Sequence, residues 1–196
     1  MDDQILKKLW QCAEEEAHRT GSSLSFVFEP VGLILIRPLQ REGYESTPLN
    51  SIAFAKTGGD GVHFSLLRLG REIQPPSPVV MTVPMNPGNE NLIVGSSVAE
   101  FLSLGCQAGY SFLELLTYAN ARSEAIYWLT HPDEWFATRG QDRETLDRAN
   151  RQRQLLSLLR RELDLTPWEE FEQRIAGLQR QFLSLLEIQP GDIGAA

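Results

Sequence analysis

With 196 residues, 42% of them apolar and 22% charged, the chain has the makeup of an ordinary globular protein with material for one sizeable core. Its formal net charge of -8, from 18 basic and 26 acidic side chains, argues against a surface built for phosphate backbones, so nucleic acid is not an expected partner. Two cysteines, Cys12 and Cys106, with no CxxC spacing, make neither a disulfide framework nor a metal knuckle and fit a reduced, cytoplasmic setting.

In chain order, residues 3 to 19 read as an amphipathic helix. Asp2 or Asp3 can cap it, and Ile5, Leu6, Leu9, Trp10, Ala13 and Ala17 recur at helical spacing. The opening Met-Asp-Asp-Gln is acidic and leads into this amphipathic pattern, so it does not read as a signal peptide. Leu24, Phe26 and Phe28 alternate with Ser25 and Val27, which predicts a strand. After a turn at Pro30 to Gly32, the apolar run Leu33 to Ile36 predicts a central strand, and it is far too short to span a bilayer. A polar loop from Gln40 to Pro48 follows.

Ser51 to Ala55 and Val62 to Leu67 predict two strands around a glycine-rich corner, Thr57-Gly-Gly-Asp-Gly61. Pro75, Pro76 and Pro78 break the chain before a strand at Val79 to Val83, and Leu92 to Val94 is a short last strand. The sum is a meander of about six strands.

Beyond residue 95 the pattern turns helical. Ser97-Val-Ala-Glu100 is a capping box, in which serine and glutamate side chains satisfy free amides at a helix start. Ser111-Phe-Leu-Glu114 repeats it and predicts a helix through about Asn120. Ala125 to Leu129 and Asp133 to Phe136 continue in helical style around Pro132. Two long stripes close the chain. Leu146, Ala149, Leu156, Leu159 and Leu163 make the first; Trp168, Phe171, Ile175, Leu178, Phe182 and Leu185 make the second, behind a cap at Thr166-Pro-Trp-Glu169. These predict an antiparallel helical pair. The fold class is therefore α+β: a central, mostly antiparallel sheet with flanking helices and a C-terminal helical pair. Residues 1–140 form the α+β domain, and 141–196 form a helical hairpin packed on it or extending it.

Candidates for chemistry are few. Asp60 and His63 could form an acid–base pair, or one end of a metal site with Glu90 or Asp133, but ligand spacing is lacking. An enzyme built on them would need a deep cavity beside the corner, lined by both. The glycines lack the lysine and hydroxyl placement of a phosphate-binding loop and lead into a strand, with no helix start to hold an anion. The corner therefore reads as backbone geometry: the glycines permit positive φ, and Asp60 can bond nearby backbone. Neither catalysis, a cofactor nor a metal is expected. Aromatic residues are dense from Tyr110 to Phe136. Most belong to the core, and Trp135 and Phe136, after the His131-Pro132 break, are the expected surface pair.

Three segments carry a resemblance: Phe54-Ala-Lys-Thr-Gly-Gly-Asp-Gly-Val-His-Phe64, then Pro78-Val-Val-Met-Thr-Val83, then Asn91-Leu-Ile-Val-Gly-Ser-Ser-Val-Ala-Glu-Phe-Leu102. Together, over about residues 50 to 105, this order of glycine corner, strand and capped helix resembles the SUKH superfamily. The resemblance implies an antiparallel sheet flanked by helices and a role in protein binding without catalysis. Bacterial members are mostly implicated as immunity proteins that neutralise toxins, and eukaryotic relatives act in cell-wall and signalling regulation. The opening helix and the long tail after Gly140 depart from that pattern.

The expectation is thus a noncatalytic protein-binding module, a bacterial toxin-immunity or regulatory protein, with Asp60, His63, Trp135 and Phe136 at the contact surface. The alternative is an assembly protein dimerising through the two tail stripes, because an apolar helical face must be buried somewhere.

Overall fold

The computed structural model describes residues 4–70, 76–137 and 142–189. The proposed caps Asp2 and Asp3, the break at Pro75 and the domain boundary after Gly140 fall outside them. The fold is α+β, built on one antiparallel sheet of β1 (Ile34–Gln40), β2 (Ser51–Lys56), β3 (His63–Leu67), β4 (Val79–Thr82) and β5 (Asn91–Gly95), in that spatial order. Short connections between neighbours impose the antiparallel meander.

The sheet has five strands, fewer than expected, because Leu24 to Phe28 is not extended. Leu24–Phe26 and Glu29–Val31 are single 3-10 turns. Val27 and Phe28 are both buried while Phe26 is 55% exposed, a pattern that a strand's alternation cannot give. Gly32, at φ +84, ends the second turn; a Cβ there would lie 2.3 Å from the Ser111 amide nitrogen.

The apolar run after it is likewise relocated. Ile34, Leu35 and Ile36 are buried, yet β1 is an edge strand. The Leu24–Phe26 turn packs along it. The α1 helix (Gln4–Thr20) reaches its exposed part, where Arg37 pairs with Glu14 at 2.7 Å and lies over the Trp10 ring. Pro38 and a register break between Leu35 and Gln40 spoil this edge for further pairing.

The Ser97 capping box is present. Ser97 Oγ accepts from the Glu100 amide at the start of α2 (Val98–Gly105), and the Glu100 carboxylate accepts from the Ser96 amide and hydroxyl. The second serine–glutamate signature fails. Residues Leu113–Thr117 form a 3-10 helix with no side-chain cap. Tyr110, just before it, is fully buried and donates to the Leu102 carbonyl at 2.7 Å, so the chain here follows the core. The helices α3 (Arg122–Thr130) and α4 (Pro132–Ala137) follow on either side of His131.

The tail contains two helices as expected, α5 (Arg143–Leu163) and α6 (Phe171–Phe182), but not their expected start or pairing. The Thr166-Pro167 signature starts no helix. Residues 165–170 run irregularly, and Trp168 is buried with its indole N–H donating to the Glu100 carbonyl at 2.9 Å. Packing decides the helix partners as well. The α5 helix packs against α1, while α6 packs along β5.

Apart from Leu146 and Leu185, which are exposed, both tail stripes are buried, and one continuous core joins Leu9, Phe54, Phe64, Phe101, Leu159 and Ile175. Side-chain amides fasten the tail where apolar contact alone would leave backbone groups unpaired. Gln152 donates to the Pro30 carbonyl. Asn50 donates to the Leu185 carbonyl and accepts from the Glu187 amide. Gln179 accepts from the Ile93 amide and donates to the Ile93 carbonyl, filling the open side of edge strand β5 as a neighbouring strand would. A buried carboxylate completes the seam: Glu16 on α1 takes a forked pair from Arg19 and a contact at 2.7 Å from Arg151 on α5. Led by the Arg19 hydrogen bonds, these hold its carboxyl below the usual range. Among the described residues, no helix is long and apolar enough to cross a membrane.

Candidate functional site

The glycine corner is a tight hairpin between β2 and β3. Thr57 N–H donates to the Val62 carbonyl, and Val62 N–H to that of Gly59. Gly58, Asp60 and Gly61 all have positive φ, at +90, +47 and +73. At two of the glycines a Cβ would also press on a neighbouring side chain. A Cβ on Gly58 would lie 2.7 Å from Ile34 Cδ1, and one on Gly61 only 2.4 Å from the Tyr44 ring. Gly59 faces open space with no such demand. Asp60 sits exposed at the tip, where an aspartate tolerates the left-handed conformation. Among the described residues its carboxylate makes none of the backbone bonds expected of it. It lies instead near Glu114, whose carboxyl is raised first by burial and then by the Asp60 charge.

His63 is fully buried, so it is withdrawn from the contact surface where the sequence reading put it. Every residue of β3 is buried, so both sides of the sheet are covered here. Its Nδ1 lies 2.8 Å from the Gly61 carbonyl and its Nε2 3.1 Å from Thr47 Oγ1, with the Tyr44 ring stacked at 5.9 Å. A carbonyl only accepts, so Nδ1 carries the proton and Nε2 accepts from the Thr47 hydroxyl. Burial is the main cause that lowers the pKa of this neutral ring. His63 therefore ties the 41–50 loop to the corner. Both of its nitrogens are engaged, and neither is directed at Asp60. A cavity of about 160 Å³ adjoins the corner, lined by Glu42, Tyr44, Lys56 and the glycines; neither Asp60 nor His63 lines it. The acid–base pair is not assembled.

The thiols are equally enclosed. Cys12 and Cys106 are buried, and burial pushes both up to about 11, so neither supplies thiolate near neutral pH. Among the described residues, no three of His, Cys, Asp and Glu gather as a metal-binding group.

The α3–α4 region presents aromatic surface, although not through the pair expected. Phe136 is buried, with the Arg153 guanidinium 4.6 Å over its ring. Trp135 is half-buried, wedged between Phe112 at 4.7 Å and Trp128 at 5.7 Å. The exposed ring is Tyr127, at 41%. It stacks on His131 at 4.3 Å and 15° and meets Trp128 edge-on at 5.1 Å. The polar tips are tethered: Tyr127 Oη donates to Glu134 and the Trp128 indole N–H to Glu124. This rigid aromatic face has an acidic rim. The i, i+4 spacing of Tyr127 with His131 and of Glu124 with Trp128 was visible in the sequence. Which face of a nine-residue helix would be left uncovered was not.

Neither protein-family models, nor curated proteins, nor solved structures yield a match to this chain.

Proposed function

We propose that the chain is a noncatalytic protein-binding module of SUKH-like type, serving as an immunity or regulatory protein in the cytoplasm, and that α3–α4 is its contact face. The observation that carries this reading is the stacked group Tyr127, Trp128 and His131, held by carboxylates at the surface. Tyrosine and tryptophan give large contact area for little conformational entropy, and interface hot spots are enriched in them. Supporting it from the other side, His63 has both nitrogens committed within the fold, and both thiols are enclosed. The antiparallel sheet leading into a helix capped by Ser97 agrees with the arrangement that the resemblance implies.

The dimer alternative has less support, since Leu146 and Leu185 are the exposed members of the two stripes. The Trp168, Phe171, Ile175, Leu178 and Phe182 stripe is buried within the chain's own core.

The test is capture from native lysate by the full chain and by a Tyr127→Ala/Trp128→Ala variant with unchanged circular dichroism. A protein retained by the first and lost from the second is expected. Equal retention by both, or none by either, refutes the reading.

A further inference from the structure

We infer that the groove between α4 and α5 is an acceptor for an acidic side chain, aspartate or glutamate, of a protein partner. The inference rests on the protein-binding reading and specifies the chemistry of what is bound. The groove has a volume of about 310 Å³, and its lining includes Cys106, Asp133, Phe136, Arg153, Ser157 and Arg160. It begins on α4, the short helix that also carries Trp135.

Three features make it a carboxylate site. First, its two arginines are unengaged by acids. On α5, Arg148 pairs with Glu144, Arg151 with Glu16 and Arg161 with Glu162. Arg153 and Arg160, which line the groove, make no ion pair among the described residues, and Asp133 on the groove wall pairs with neither. Other arginines, Arg143 and Arg180 among them, also make no ion pair among the described residues; Arg153 and Arg160 differ in lining one groove together.

Second, Arg153 is already positioned. Its guanidinium lies 4.6 Å over the Phe136 ring, and Phe136 is itself buried. Stacking fixes the plane of the fork and leaves its N–H edge to donate, so little rotamer entropy remains to be lost on binding.

Third, the floor is apolar. Phe136, Leu156 and Cys106 are all buried beneath the arginines. A carboxylate entering here meets two exposed guanidinium groups above this apolar floor and can accept charge-assisted bonds from them. The methylene arm that carries it covers the floor. Arginine, carboxylate and apolar arm together match the make-up of an interface hot spot.

The experiment is a titration of the full chain, followed by backbone amide NMR shifts, with acetyl-Leu-Glu-amide, acetyl-Leu-Gln-amide and inorganic phosphate. Shifts centred on Ser157 and on Gln107, which also lines the groove, are expected with the glutamate peptide. Binding about tenfold weaker is expected for the glutamine peptide, which keeps the shape and loses the charge. Arg160→Gln, and Arg153→Lys, which keeps charge but loses the fork, should each weaken the glutamate peptide by about fivefold or more. Arg148→Gln, on the same helix but paired with Glu144, should leave it unchanged.

Equal binding of the two peptides, no shifts at the groove, or phosphate matching the glutamate peptide at equal concentration each overturns the inference. The two proposals fail separately. A partner captured through Tyr127 and Trp128 but indifferent to Arg153→Lys and Arg160→Gln removes the groove and keeps the module. A groove that binds the glutamate peptide while lysate yields no partner does the reverse.

Discussion

Replacing Gln179 with alanine tests whether a single side chain closes the sheet. Its amide oxygen accepts from the Ile93 N–H at 3.0 Å, and its amide nitrogen donates to the Ile93 carbonyl at 2.8 Å. Both Ile93 groups point away from β4, so in the variant they have no strand to turn to. A fully dry unpaired group costs about 1–3 kcal/mol. Gln179 is only half-buried, so water reaches part of the gap, and the two groups together should cost about 1–3 kcal/mol. Alanine is the slightly better helix former, which works against this loss and makes the measured value a lower bound. For a chain of this length the melting temperature should fall by about 2–4 °C per kcal/mol. Urea unfolding gives the energy, and hydrogen exchange at the Ile93 amide gives its place. Gln173→Ala, an exposed position on the same helix, is the control and should stay within about 0.5 kcal/mol. A Gln179→Ala midpoint no lower than that of Gln173→Ala, with Ile93 exchange unchanged, would show that the edge does not depend on this amide.

Two further outcomes follow from the corner. His63 is buried neutral with its pKa below the ordinary 6.5, so between the two values the unfolded chain binds a proton that the native chain does not. Its contribution is complete above pH of about 6.5 and is lost as pH falls below it, by up to about 1.4 kcal/mol per unit until the folded ring titrates. Urea midpoints measured across that window should decline more steeply for the native chain than for His63→Gln; parallel declines would refute the assignment. Gly61→Ala combines positive φ with a 2.4 Å approach to Tyr44, and should destabilise by about 1–3 kcal/mol in thermal unfolding. Gly59→Ala faces open space and should stay within about 0.5 kcal/mol, and equal effects at the two positions would contradict the geometry.

Local patterns alone determined much of this protein. The α1 stripe, the strands on either side of the glycine corner, Val79 to Thr82, and the Ser97–Glu100 cap are set by interactions within a few residues of each other, and these stand where the sequence places them. Tertiary packing decided the rest, because burial is a property of the whole chain. Phe28 joins the core through a 3-10 turn, so its strand is lost. Trp168 is taken up by the Glu100 carbonyl, so the Thr166 cap has no helix to start. The two tail stripes fit each other on paper, yet α1 and the open side of β5 are the surfaces they cover, since edge-strand backbone groups need partners that a second helix could not supply. Likewise, nothing local says that His63 is enclosed by a loop whose Thr47 lies sixteen residues earlier, or that Arg153 lies on Phe136 across the groove.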